Sequence, residues 1–100
     1  MLLSMETAEH EFPFPMPFIH MNGSSRARLD EQYRNAFISL SAARDEFNRI
    51  DLHPRDYYPL DADPYSNLSY DKALAERTKM LEAFATIQNY LEKHLAHLHE

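Results

Sequence analysis

One hundred residues with a net charge of −6 make one small domain with a thin core, and the acidic balance works against general binding to nucleic-acid backbones, which select basic faces. There is no Cys, no Trp and a single glycine, Gly23, which excludes disulfide stapling, Cys-ligated zinc and thiol catalysis and points to a reducing cytoplasm. Arg outnumbers Lys seven to three, and Arg is the better residue for a bidentate grip on phosphate or carboxylate.

Residues 1–10 read as a frayed tail. Met1 to Met5 are largely apolar, but no basic stretch precedes them, Glu6 and Glu9 follow, and no run has the length of a membrane span. The expected protein is therefore neither secreted nor membrane-spanning. Glu11 to Met21 (EFPFPMPFIHM) alternates aromatic residues or Met with Pro, a pattern that forbids helix and favours polyproline II. At about 3.1 Å per residue this arm reaches roughly 34 Å, enough to lie lengthwise in a groove of its own chain or of a neighbour. Residues 1–21 are thus expected as a flexible tail and Pro-aromatic arm, and 22–100 as the folded domain.

Asn22-Gly23-Ser24-Ser25 supplies a turn and a helix cap, with Ser24 or Ser25 accepting from free backbone N–H groups. Helix one is predicted over about 25–51 from the ladder Leu29, Tyr33, Ala36, Leu40, Ala43, Phe47 and Ile50, spaced in fours and threes. Phe37 and Ile38 widen the stripe beyond what one partner helix covers. Asp51 to Leu68 holds three prolines and three tyrosines and reads as an ordered loop. Helix two is predicted over about 69–98, capped by Ser69 or Asp71, with Leu74, Met80, Leu81, Phe84, Ile87, Leu91, Leu95 and Leu98 buried. The expected fold is all-α: an antiparallel two-helix hairpin with an extended arm, assembling as a homo-oligomeric helical bundle.

Two stretches carry candidate chemistry. In His20-Met21-Asn22-Gly23-Ser24-Ser25-Arg26, a glycine turn opens a helix and aims N–H groups and the positive dipole end at one spot. Asn22, Ser24, Ser25 and Arg26 are the candidate anion ligands, with His20 secondary; an ordinary helix cap is the plainer alternative. In His53-Pro54-Arg55-Asp56-Tyr57-Tyr58-Pro59, flanking prolines stiffen the chain, so Arg55 can hold a phosphate while Tyr57 or Tyr58 stacks on a base. His53 is secondary there, and plugging the hairpin end is the alternative. His94-x-x-His97-x-His99-Glu100 has helical spacing for a metal, but no H-E-x-x-H pattern, and cationic histidines at a helix C-terminus are the preferred reading. Asp61-x-Asp63 lacks the rest of a calcium loop. No nucleophile elbow or convincing carboxylate pair is present, so no enzyme and no cofactor is expected.

At these same residues the chain resembles a set of short phage and prophage proteins with an H-x-N-G-[ST]-[ST] turn, a helix, an R-D-Y-Y-P stretch and a second helix. The matching positions are His20, Asn22, Gly23, Ser24 and Ser25, then Arg55, Asp56, Tyr57, Tyr58 and Pro59. The resemblance spans residues 18–98 and rests on these two short motifs; where the family pattern has Asn-Gly before the Arg, this chain has His53-Pro54. It implies a viral accessory protein in the host cytoplasm that counters host defence. One expectation is a sponge that sequesters a nucleotide-derived immune signal in pockets between subunits. The other is an inhibitor of a host protein, acting through the acidic surface or the Pro-aromatic arm.

Overall fold

The computed structural model describes residues 12–100. The expected frayed tail, residues 1–10, lies outside them. Among the described residues the protein is all-helical, with no strand, and its elements are α1 (Arg26–Asn48), three short 3-10 turns (Pro54–Asp56, Tyr58–Leu60 and Pro64–Ser66) and α2 (Leu68–Leu98). No described helix is long and apolar enough to cross a membrane.

Helix α1 starts where its cap dictates. Ser25 Oγ accepts the backbone N–H of Arg28 at 3.1 Å, and Ser25 O takes that of Leu29, so Ser25, not Ser24, satisfies the orphan donors. The helix stops at Asn48, three residues short of the predicted 51, because Arg49 and Ile50 bond the carbonyls of Glu46 and Phe47 three residues back and so tighten the last turn. Helix α2 begins at Leu68. Ser69 and Asp71 are not its caps: Asn67 turns the chain with φ 57°, and the Asp61 carboxylate accepts the N–H of Ser69 at 3.2 Å. A carboxylate from the preceding loop does what a local cap does elsewhere.

The chain divides into two compact units. One contains residues 12–38 and Asn89–Glu100. Here the arm, free of helix and turn over residues 15–20, lies on the C-terminal part of α2: Phe14 meets Tyr90 at 4.6 Å between ring centroids, and His97 Nε2 donates to Pro17 O at 2.9 Å. Leu91, His94 and Leu98 are the buried residues of α2. The other unit is Ser39–Gln88. In it Phe47 packs on Phe84 at 5.5 Å, Arg44 donates to Gln88 at 2.9 Å, and Arg77 donates to the carbonyls of Ile50 and Asn48 at 2.6 and 2.8 Å.

The buried stripe of α2 is Arg77, Leu81, Phe84, Gln88, Leu91, Leu95 and Leu98, at a strict 4-3 spacing, half-buried or buried throughout. Leu74, Met80 and Ile87, predicted inside, are exposed. Two seam positions hold polar residues, Arg77 and Gln88, so a search for apolar periodicity selects Met80 and Ile87, one strip to the side. On α1 the predicted ladder holds at Leu29, Tyr33, Leu40 and Phe47, which are half-buried with Phe37, while Ala36 and Ala43 are exposed, as is Ile50 beyond the helix end.

Candidate functional site

The Asn22 turn belongs to the first unit. Gly23 N–H donates to His20 O at 3.2 Å, and the His20 ring sits against Gly23 so closely that a Cβ there would lie 2.8 Å from Nε2. Phe18 stacks on His20 at 6.3 Å. Asn22, Ser24, Ser25 and Arg26 are all exposed, but two of the four already have structural work: Ser25 caps α1, and Arg26 Nη1 donates to Leu98 O at the C-terminal end of α2. A guanidinium at a helix C-terminus meets the negative end of the dipole, so the Arg26 charge is directed at protein. Beside it opens a cleft of about 300 Å³ whose walls include Met16, Phe18 and Ile19 of the arm with Arg26, His97 and Leu98. Apolar groups dominate the lining. The cleft is also lined by His97 and Glu100, whose Nδ1 and Oε2 lie 3.7 Å apart.

The Arg55 loop belongs to the second unit. His53 is extended, and its carbonyl accepts Asp56 N–H at 3.1 Å, while Tyr57 N–H donates to Pro54 O at 3.0 Å. Pro54 opens this turn and Pro59 sits in the next, so the backbone carrying Arg55 is held by ring geometry as well as hydrogen bonds. Arg55 is exposed, and among the described residues no carboxylate pairs with it. Tyr57 is half-buried, its ring 6.1 Å from Tyr70. Tyr58 is exposed, and its carbonyl takes Asp61 N–H. Of the two acids in Asp61-x-Asp63, Asp61 anchors Ser69 and Asp63 accepts the N–H of Tyr65 at 3.0 Å. Both therefore serve the loop itself.

What the sequence reading missed is the aromatic stack of the first unit. His94, expected as a cationic C-terminal histidine, is 2% exposed. Its ring lies nearly parallel to Tyr33 (4.5 Å, 18°) on one side and to Phe14 (5.3 Å, 11°), with Tyr90 4.2 Å away. Nδ1 faces Tyr90 O at 2.8 Å; a carbonyl only accepts, so Nδ1 carries a proton. The signal was in the spacing: His94 stands three residues after Leu91 and four before Leu98, inside the apolar stripe. His97 bonds Pro17 O, and among the described residues no group of three or more His, Asp or Glu is placed to hold a metal ion.

Elsewhere in this unit Asp30 accepts two hydrogen bonds from Arg34 at 3.0 and 3.1 Å and approaches His99 Nε2 at 2.6 Å. The Arg34 hydrogen bond leads in holding the Asp30 carboxyl below its usual range. Compared with protein-family models, curated proteins and solved structures, the chain matches none.

Proposed function

We propose that the chain is a non-enzymatic binding protein: an antiparallel helical hairpin that assembles as a homo-oligomeric bundle and sequesters a small anionic, nucleotide-like ligand, a host immune signal on the phage resemblance. The observation that carries this reading is the Pro-stiffened loop that presents an exposed Arg55 beside Tyr57, whose ring is steadied by Tyr70, and the exposed ring of Tyr58. A guanidinium on a fixed backbone binds phosphate bidentately, and a tyrosine face stacks on a base for about 1–3 kcal/mol. Asn22 and Ser24 remain as further ligands, while Ser25 and Arg26 contribute less because each is engaged within the fold. Native mass spectrometry after mixing with an extract of cyclic and linear nucleotides tests the reading. The expected result is an oligomer gaining a whole number of ligands of nucleotide mass, abolished in a folded Arg55→Ala variant. An oligomer that stays empty overturns it.

A second reading, an interaction module that inhibits a host protein, is favoured by apolar side chains left in water: Phe18 and Met21 of the arm and Ile38, Met80 and Ile87 of the helices. An apolar side chain left in water is one that a partner can cover. On this reading Phe18→Ala weakens partner capture and Arg55→Ala does not.

A further inference from the structure

The groove beside the C-terminal part of α2 already holds a strand of one composition. Phe12 meets His97 edge-on at 6.0 Å, Phe14 lies flat on His94 and packs on Tyr90, and His97 donates to Pro17 O. A Pro-rich extended strand makes no hydrogen bonds of its own, so its attachment is ring on ring plus a carbonyl, the mode by which aromatic-lined grooves take Pro-rich segments. Nothing in those contacts requires that strand and groove belong to the same chain.

Two observations at the junction say what the own-chain arrangement leaves undone. Phe18 is 83% and Met21 96% exposed, so two large apolar side chains of the arm stand in water while Met16, Pro17 and Ile19 are half-buried. The link to α1 is a short turn around Gly23, closed by one backbone hydrogen bond, Gly23 N–H to His20 O. Opening that turn sacrifices little.

We propose that in the assembled protein two copies exchange arms, residues 12–17 of each filling the groove of Tyr90, His94 and His97 on the other. Exchange keeps every groove contact, which makes it a low-cost route to a dimer. The opened 18–23 segments of the two copies then run side by side, and Phe18 and Met21 are covered by their counterparts. This rests on the homo-oligomeric part of the proposed function and not on its ligand.

The absence of Cys makes the topology readable. A full-length Pro17→Cys/His97→Cys variant treated with a short bis-maleimide at low concentration is expected to give covalent dimers on a denaturing gel; products linked within one chain overturn the exchange. Because His97 is part of the groove, two measurements leave it intact. Sedimentation of the unmodified protein is expected to show dimers or multiples of dimers; a monomer at all concentrations overturns both the exchange and the homo-oligomer. An oligomer whose crosslinks stay within chains overturns the exchange alone. Gly23→Pro removes the N–H that closes the turn and is expected to raise the dimer fraction at fixed concentration, and an unchanged or smaller fraction counts against the proposal.

Discussion

The imidazole of His94 lies nearly parallel to the phenol ring of Tyr33, with centroids 4.5 Å apart, and this contact joins α1 to α2 at the point where the arm arrives. Phe14 makes the third layer. The stack thus couples three segments, and the Nδ1 bond to Tyr90 O fixes which ring edge faces the helix backbone. A histidine here offers a flat face to both neighbours and one N–H to a carbonyl, a combination that neither Leu nor Phe provides.

Replacing His94 with Ala should therefore cost about 3 kcal/mol, in the range for truncating a large buried ring. His94→Phe should cost less, since it keeps both stacking faces and loses the Nδ1 bond. Urea unfolding of the two variants measures this. Equal loss in both would mean that the hydrogen bond, not the stack, is what matters.

Burial raises the Tyr33 hydroxyl above the usual tyrosine range, and the neighbouring Tyr90 adds to the rise. The folded state holds Tyr33 neutral more firmly than the unfolded state does. Its contribution is complete below the ordinary tyrosine value, about pH 10, and is lost as pH climbs through the folded value. Thermal melts should fall more steeply with alkaline pH in the unmodified protein than in Tyr33→Phe, and a tyrosinate absorbance titration should lose its latest-titrating component in that variant. Identical alkaline profiles would remove Tyr33 from the account.

Helix α2 and the ordered 51–68 loop were legible from apolar spacing and from proline placement, because those features act locally. The seam was not. Arg77 and Gln88 occupy core-facing positions by bonding carbonyl and guanidinium groups of α1 and the turn that follows it, and a polar residue whose partner lies far along the chain carries no mark in a one-dimensional pattern. The arm's composition was readable as sticky and extended, whereas its seat against Tyr90 and His94 was a matter of tertiary contact. The same holds for Arg26 in the Asn22 turn: its bond to Leu98 O joins residues 72 positions apart, and no local motif encodes such a contact.

Arg77 illustrates the cost of a polar seam. Its guanidinium takes the carbonyls of Asn48 and Ile50, which leave the end of α1, and its centre sits 5.8 Å from the Phe47 ring. Arg77→Ala should destabilise by about 1.5–3 kcal/mol, as for hydrogen bonds to a charged group. Arg77→Lys should recover less than half of that, because an ammonium cannot reproduce the two-pronged geometry over a ring. Full recovery by Lys in urea unfolding would reduce the contact to simple charge at a helix C-terminus.

The start of α2 should respond to acid through Asp61. Its carboxyl is held below the usual aspartate range first by the Ser69 side-chain hydrogen bond, then by Ser69 and Leu68 backbone N–H groups and the Lys72 charge, with burial opposing them. A folded value below the unfolded one means that the carboxylate stabilises the fold above the ordinary aspartate value, about pH 4, and that this contribution disappears as pH falls through the lower folded value. Asp61→Asn keeps an acceptor but loses the charge, so it should melt earlier than the unmodified protein at neutral pH and converge with it in strong acid. Amide exchange should locate the loss at the first turn of α2, at Ser69 above all, since its N–H is the donor that the carboxylate satisfies. Exchange that speeds up instead at the C-terminal end of α2 would show that the carboxylate acts on the helix as a whole and not as its cap.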